Sequence, residues 1–268
     1  RDFCDTEIGC YTYYFAASQG SKQTLTMNNR AHFTDKEYAT RLSLKRDDLP
    51  NLVGSVVIVH GFRGSKDWAL LTAAYFQFLG YDAYIFDLLG HGDLNTAKGF
   101  GVKDAKYIAR FVETNLSSEQ PIIAVGSSMG GLVATYLANA NVVDAAILQA
   151  PMTQFDISLQ GHFKDNKPWY GFLLSDSLIA NAANAALKEV NLSQQQTNTV
   201  NLLKVSHSPF LIFASNIDSV SPYSVFADLR LPNVNVIEIK QLEHAYMSMI
   251  GQYEHEQIVE WLQAHFTK

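Results

Sequence analysis

The sequence predicts an α/β fold, a mostly parallel central sheet flanked by helices, with a helical insert late in the chain. Three observations carry this reading. Short apolar runs alternate with longer amphipathic ones, the rhythm of strand–helix–strand units. A chain of 268 residues is long enough for one large domain, or one domain with an insert. The rhythm stops after residue 150, resumes near residue 207, and leaves a segment without β runs between.

Taken in order, Cys10 to Ala17 (CYTYYFAA) and Ala39 to Lys45 (ATRLSLK) read as antiparallel strands at one edge of the sheet. Gly54 to His60 (GSVVIVH) reads as a buried strand. Lys66 to Leu79 has helical spacing and stops before Gly80, a favoured residue past a helix end. Asp82 to Asp87 is the next strand, Val102 to Leu116 the next helix, then strand Pro121 to Gly126, helix Met129 to Ala140 and strand Val143 to Gln149. After the break come strand Pro209 to Ser215, a helical stretch from Pro222 to Leu229, strand Val234 to Lys240 and a last helix from Gln252 to Phe266. The expected organisation is therefore a core of residues 1–150 and 206–268 interrupted by a lid at 151–205.

Composition excludes several classes of function. A net charge of −6, with no basic patch, argues against nucleic acid or an anionic membrane as the main partner. No apolar stretch approaches the roughly 20 residues needed to span a bilayer. Cys4 and Cys10 fit no zinc or haem spacing, and neither a metal nor a cofactor is called for. The two cysteines stand either as inert thiols or as a short-loop disulfide made outside the cytoplasm. A charged fraction of 17% and a first residue other than Met lean toward an extracytoplasmic, periplasmic or secreted setting.

The junction Gly126 to Gly131 (GSSMGG) carries the chemistry. A sharp turn from strand into helix strains the residue at its apex, and the residues two positions either side must lack bulk. The pattern G-x-S-x-G is met around Ser128 by Gly126 and Gly130. Around Ser127 it fails, because Val125 and Met129 occupy those places. Ser128 is the candidate nucleophile; a glycine-rich turn without chemistry is the alternative. A dinucleotide-binding loop is excluded, since G-x-G-x-x-G is missing and the elbow does not follow the first parallel strand.

A serine hydroxyl needs a base to take its proton. Of eight histidines, His244 follows the last strand and opens on the edge where strand C-termini line up, where open α/β sheets bind ligands. His60 and His91 sit in turns after earlier strands, and His255 and His265 on the last helix; His32, His162 and His207 lack a strand-end setting. The orienting carboxylate is Asp218, past the strand ending at Ser215, with Asp156 as runner-up. Backbone N–H groups of Met129, after the nucleophile, and Phe62, in the loop after an earlier strand, are the expected oxyanion donors.

With these segments in place, VIVHGFRG (57–64), FDLLGHGD (86–93), GSSMGG (126–131), IDSVSP (217–222) and EHAYM (243–247), the chain resembles the α/β-hydrolase superfamily. It is most similar to the branch of serine esterases, monoacylglycerol-lipase-like, lysophospholipase-like and serine aminopeptidase-type enzymes. The resemblance covers residues 52–150 and 207–268, and implies a Ser128–Asp218–His244 triad acting on a small acyl ester through an acyl-enzyme. It also implies that His60 and the GHG segment are structural. Glu243 stands where the branch often has Gly, and the acid segment reads SNID. An acyltransferase, a thioesterase or a carbon–carbon hydrolase would use the same triad, and a binding module would have kept the fold without turnover. Ser in the nucleophile's place disfavours the aspartyl-ester enzymes of the superfamily.

The insert is rich in apolar side chain: Phe155, Phe163, Trp169, Tyr170, Phe172, Leu173 and Leu174. It leaves the sheet after Gln149, at the triad's edge. Phe155, Phe163, Trp169, Phe172 and Leu173 are expected to line a pocket for a hydrocarbon chain, against the alternative that they only pack the lid onto the core.

Overall fold

A computed structural model describes residues 1–6, 9–33, 36–166 and 174–267. Its centre is an eight-stranded sheet. Strands β1 (Asp2–Asp5) and β2 (Gly9–Ala16) form an antiparallel edge hairpin closed by a Cys4–Cys10 disulfide between directly paired residues. Strand β2 joins the sheet antiparallel to β6 (Tyr81–Phe86). The remaining strands run parallel: β6, β5 (Gly54–Val59), β7 (Ile122–Ser127), β8 (Ala145–Gln149), β9 (Phe210–Ser215) and β10 (Val234–Ile239). The alternation of strand side chains divides the core in two. Val57 and Val59 of β5 face a layer holding Phe111, Leu132 and Leu137, from helices α2 (Val102–Asn115) and α3 (Met129–Asn139). Val56 and Ile58 face Phe76, Leu79, Ile258 and Trp261, from α1 (Leu70–Leu79) and α8 (Gln252–Phe266).

Two expectations need correction here. The 39–45 segment does not extend the sheet edge. It belongs to β4 (Lys36–Lys45), paired with β3 (Thr24–Phe33) in a separate ribbon whose Leu25, Met27, Leu42 and Leu44 pack into the α1/α8 layer. The ribbon buries one face on that layer, so its alternating pattern is the same as an edge strand's. The helix expected from Lys66 begins as a 3₁₀ turn over Lys66–Ala69 and becomes α-helical at Leu70; it ends at Gly80, whose φ of 117° is the left-handed conformation that favours glycine.

Between β8 and β9 lie α4 (Phe155–Asn166), α5 (Asp176–Glu189) and α6 (Thr199–Val205). Helix α7 (Tyr223–Ala227) links β9 to β10. No helix among the described residues is long and apolar enough to cross a membrane.

Candidate active site

Ser128 sits between β7 and α3 with φ 52° and ψ −114°, a conformation L-residues rarely adopt. Local bonds hold it there. Its N–H donates to Gln149 O (2.9 Å), and its carbonyl accepts from Gly131 N–H and Met152 N–H (2.9 Å each). The glycines are required by contact. A Cβ on Gly126 would lie 2.1 Å from Gly130 O, and one on Gly130 would lie 2.2 Å from Val59 O. Ser127 points elsewhere, lining a cavity of about 50 Å³ with Thr72, Gln149 and Ser248.

Three sheet-edge loops converge on Ser128. From the turn after β10, His244 places Nε2 3.0 Å from Ser128 Oγ. Its Nδ1 is 2.7 Å from Asp218 Oδ2, in the loop after β9. The other Asp218 oxygen accepts from Val220 N–H (2.8 Å) and Ser221 N–H (2.9 Å), so the buried carboxylate is held at both oxygens. Asp218 therefore takes the place beside the imidazole. Asp156 instead accepts from Ile157 N–H and Gln154 Nε2 in the first turn of α4.

The loop after β5 supplies the opposite wall. A Cβ on Gly61 would stand 3.1 Å from Ser128 Cβ, so this backbone lies against Ser128. His60 Nδ1 is 2.7 Å from Gly61 O, and His60 Nε2 accepts from Leu88 N–H at 3.1 Å. The two contacts assign one tautomer, with Nδ1–H donating. The Gly61 carbonyl and the Phe62 N–H belong to one trans peptide and point to opposite sides of it, so His60 orients the Phe62 N–H as well. Met129 is the first residue of α3, where an N–H has no acceptor within the helix.

Helix α4 contacts two of these loops. Phe155 meets the Phe62 ring at 6.4 Å and Phe100 at 5.0 Å. Six residues on, a Cβ on Gly161 would lie 2.0 Å from Ser219 O, and Ser158 Oγ donates to Val220 O (2.9 Å). The insert thus touches both the loop holding Phe62 and the loop holding Asp218. Phe155 is buried at this junction, and Phe163 is half-buried beside His162 (ring centroids 6.0 Å). Trp169, Tyr170, Phe172 and Leu173 lie outside the described residues. Burial lowers the pKa of His162, with Arg63 and His244 adding to the effect.

A buried polar cluster underpins the loops, and sequence reasoning missed it. Lys66 is 2% exposed, and its ammonium contacts Asp87 Oδ2 (2.6 Å) and Asp93 Oδ2 (2.5 Å). Asp104 accepts from Leu89 N–H (2.6 Å) and Gly101 N–H (2.7 Å) while burial raises its pKa to about 6. No group of His, Cys, Asp and Glu among the described residues is arranged to hold a metal ion.

Sheet order, strained serine and converging loops define an α/β hydrolase. The family model described as "Serine aminopeptidase, S33" matches residues 50–200, which is 151 of 268 residues, and the chain belongs to that family. The match spans Phe62, Ser128 and Met129 but stops short of Asp218 and His244. No match was found among curated proteins. Solved structures share the fold. An esterase of Pyrococcus furiosus aligns with TM-score 0.60 and 16% identity, over 91% of this chain and 92% of its own. A monoacylglycerol lipase of Paleococcus ferrophilus aligns with TM-score 0.54 and 18% identity, over 80% and 97%. An α/β hydrolase from the metagenome of Mar Chica lagoon sediments aligns with TM-score 0.56 and 20% identity, over 80% and 93%.

Proposed function

We propose that this protein is a serine esterase that cleaves carboxylic esters through an acyl-enzyme on Ser128. The observation that carries the reading is the relay of Ser128 Oγ, His244 and Asp218 at 3.0 and 2.7 Å. His244 Nε2 takes the hydroxyl proton as Oγ attacks the ester carbonyl. Asp218 keeps the Nδ1–H tautomer in place and stabilises the imidazolium. The Phe62 and Met129 N–H groups receive the developing oxyanion, and removing one such donor costs about 10²–10³ in kcat in the best-studied case. The protonated imidazole then gives its proton to the leaving alcohol, and water repeats the sequence to release the acid.

Residues 151–205 act as a lid in this reading, and the preferred acyl group is apolar. Supporting this are the contacts of α4 with both the donor loop and the acid loop, and the burial of Phe155 against Phe62. The esterase and lipase among the structural neighbours accord with it. The disulfide at the β1–β2 edge favours an oxidising compartment. Hydrolysis of p-nitrophenyl acyl esters by wild type, Ser127→Ala and Ser128→Ala tests the assignment. Only Ser128→Ala is expected to lose turnover, by a factor of about 10⁶; residual wild-type activity in that variant would refute it.

A further inference from the structure

Burying a lysine is costly unless its charge is matched, and replacing a buried ion pair with well-packed apolar residues is often no less stable. The Lys66 cluster therefore calls for a reason other than stability. Its connections supply one. Lys66 ends the loop that begins at His60, and the Asp87 carboxylate at the end of β6 grips that loop twice. Oδ1 accepts the Lys66 backbone N–H (2.6 Å), and Oδ2 takes the ammonium (2.6 Å). The same Oδ2 accepts Asp93 N–H (3.2 Å), and Asp93 returns its own carboxylate to the ammonium (2.5 Å). Asp87 Oδ1 is also 3.5 Å from Nε2 of His60, the ring that sets the Gly61–Phe62 peptide. Gly92 packs so closely on this carboxylate that a Cβ there would lie 2.2 Å from Oδ1.

Resting on the esterase reading above, we infer that Lys66 is a positioning residue for the oxyanion donor: its ammonium, clasped by Asp87 and Asp93, locks the 60–66 loop against the 87–93 loop so that the Phe62 N–H stays aimed at the developing charge. The turn between the clasp and the donor is short and itself bonded. Gly61 O accepts from Gly64 N–H at 3.1 Å as well as from His60, and Arg63 takes the left-handed conformation at φ 64°. Little slack lies between Lys66 and Phe62. Burial opposes the ammonium's charge, but the two carboxylates outweigh it and raise its pKa to about 12; the Lys66 ammonium and the Lys66 and Asp93 backbone N–H groups hold Asp87 well below the usual range despite its burial. Lys66 and Asp87 therefore stay charged across the pH range in which an esterase works.

The test measures kcat and KM on p-nitrophenyl acetate and butyrate for wild type, Lys66→Met, Lys66→Arg and Asp93→Asn, with active sites counted by end-point fluorophosphonate labelling. If Lys66 positions the donor, Lys66→Met lowers kcat per labelled serine by about 10²-fold, the scale of one lost oxyanion donor. KM should stay close to wild type, and Lys66→Arg should recover part of the loss. A merely structural lysine would lower the thermal midpoint and the number of labelled sites but leave kcat per site unchanged, and that result overturns the inference. Should Lys66→Met fail to fold, Asp93→Asn decides, because that side chain is 73% exposed and its loss leaves the core intact. A several-fold drop in its kcat at constant KM supports the clasp, and an unchanged kcat overturns it. Wild-type protein that neither hydrolyses these esters nor takes the label would instead overturn the esterase reading itself.

Discussion

Replacing Gly126 by Ala places one methyl group where the backbone has no room. The new Cβ would lie 2.1 Å from Gly130 O, 2.3 Å from Gly130 C and 2.6 Å from Gly131 N, whereas ordinary contact begins at 3.4 Å. The end of β7 and the first turn of α3 would have to separate by about 1 Å, and both are backbone, so no side chain can swing aside. Overpacking of this kind costs about 1–3 kcal/mol. At about 2–4 °C per kcal/mol for a chain of this size, the thermal midpoint should fall by roughly 5 °C. Displacing Ser128 by about 1 Å from His244 should cost on the order of 10²-fold in kcat. Differential scanning calorimetry and p-nitrophenyl butyrate turnover read the two effects separately. Gly20→Ala is the control, since a Cβ there meets nothing within 4 Å. A Gly126→Ala variant with wild-type midpoint and wild-type kcat would refute the packing argument for the elbow.

Asp218→Asn should lower kcat steeply, by up to about 10⁴-fold as in the worked serine-protease case, while Asp156→Asn should stay near wild type; the reverse outcome would move the acid onto the insert. His255 is buried with its Nδ1 2.9 Å from Tyr75 OH, and burial pushes its pKa below the ordinary value. The unfolded chain then binds more protons than the folded one at and below about pH 6.5, so this contribution is present above that pH and lost as pH falls. The thermal advantage of wild type over His255→Gln should accordingly shrink between pH 8 and pH 5, and a constant gap would contradict it. The proposed apolar acyl pocket under the insert would gain about 0.8 kcal/mol per buried CH₂, so kcat/KM should climb with acyl chain length until the pocket is full. Trp169→Ala or Phe172→Ala should alter that profile, and a flat profile in wild type would leave the insert a structural cover.

Much of this architecture was legible because periodicity reports burial. The parallel strands from Gly54 to Ser215 announced themselves as largely apolar runs and Val234 to Ile239 as an alternating one, and the glycine spacing separated Ser128 from Ser127. Asp218 and His244 were reachable because both follow strands that end at the same sheet edge. Periodicity is silent on partners. Leu42 and Leu44 alternate in β4 as they would in any half-buried strand, so nothing marked the ribbon as leaving the main sheet. Lys66 was unreadable for a related reason: a lysine enters the interior only where tertiary structure brings carboxylates to it, and Asp87 and Asp93 lie 21 and 27 residues away. Gly161 gave a faint signal, a glycine inside a helical stretch, whose cause is the approach of α4 to Ser219.

Turnover by the proposed route requires Ser128 to be an activated nucleophile. Incubating folded protein with a fluorophosphonate probe at neutral pH and mapping the adduct by peptide mass spectrometry tests this most directly. The geometry predicts a single adduct, on Ser128, that disappears in Ser128→Ala and forms much more slowly in His244→Ala. An adduct on Ser127, or none on protein shown to be folded, would contradict it.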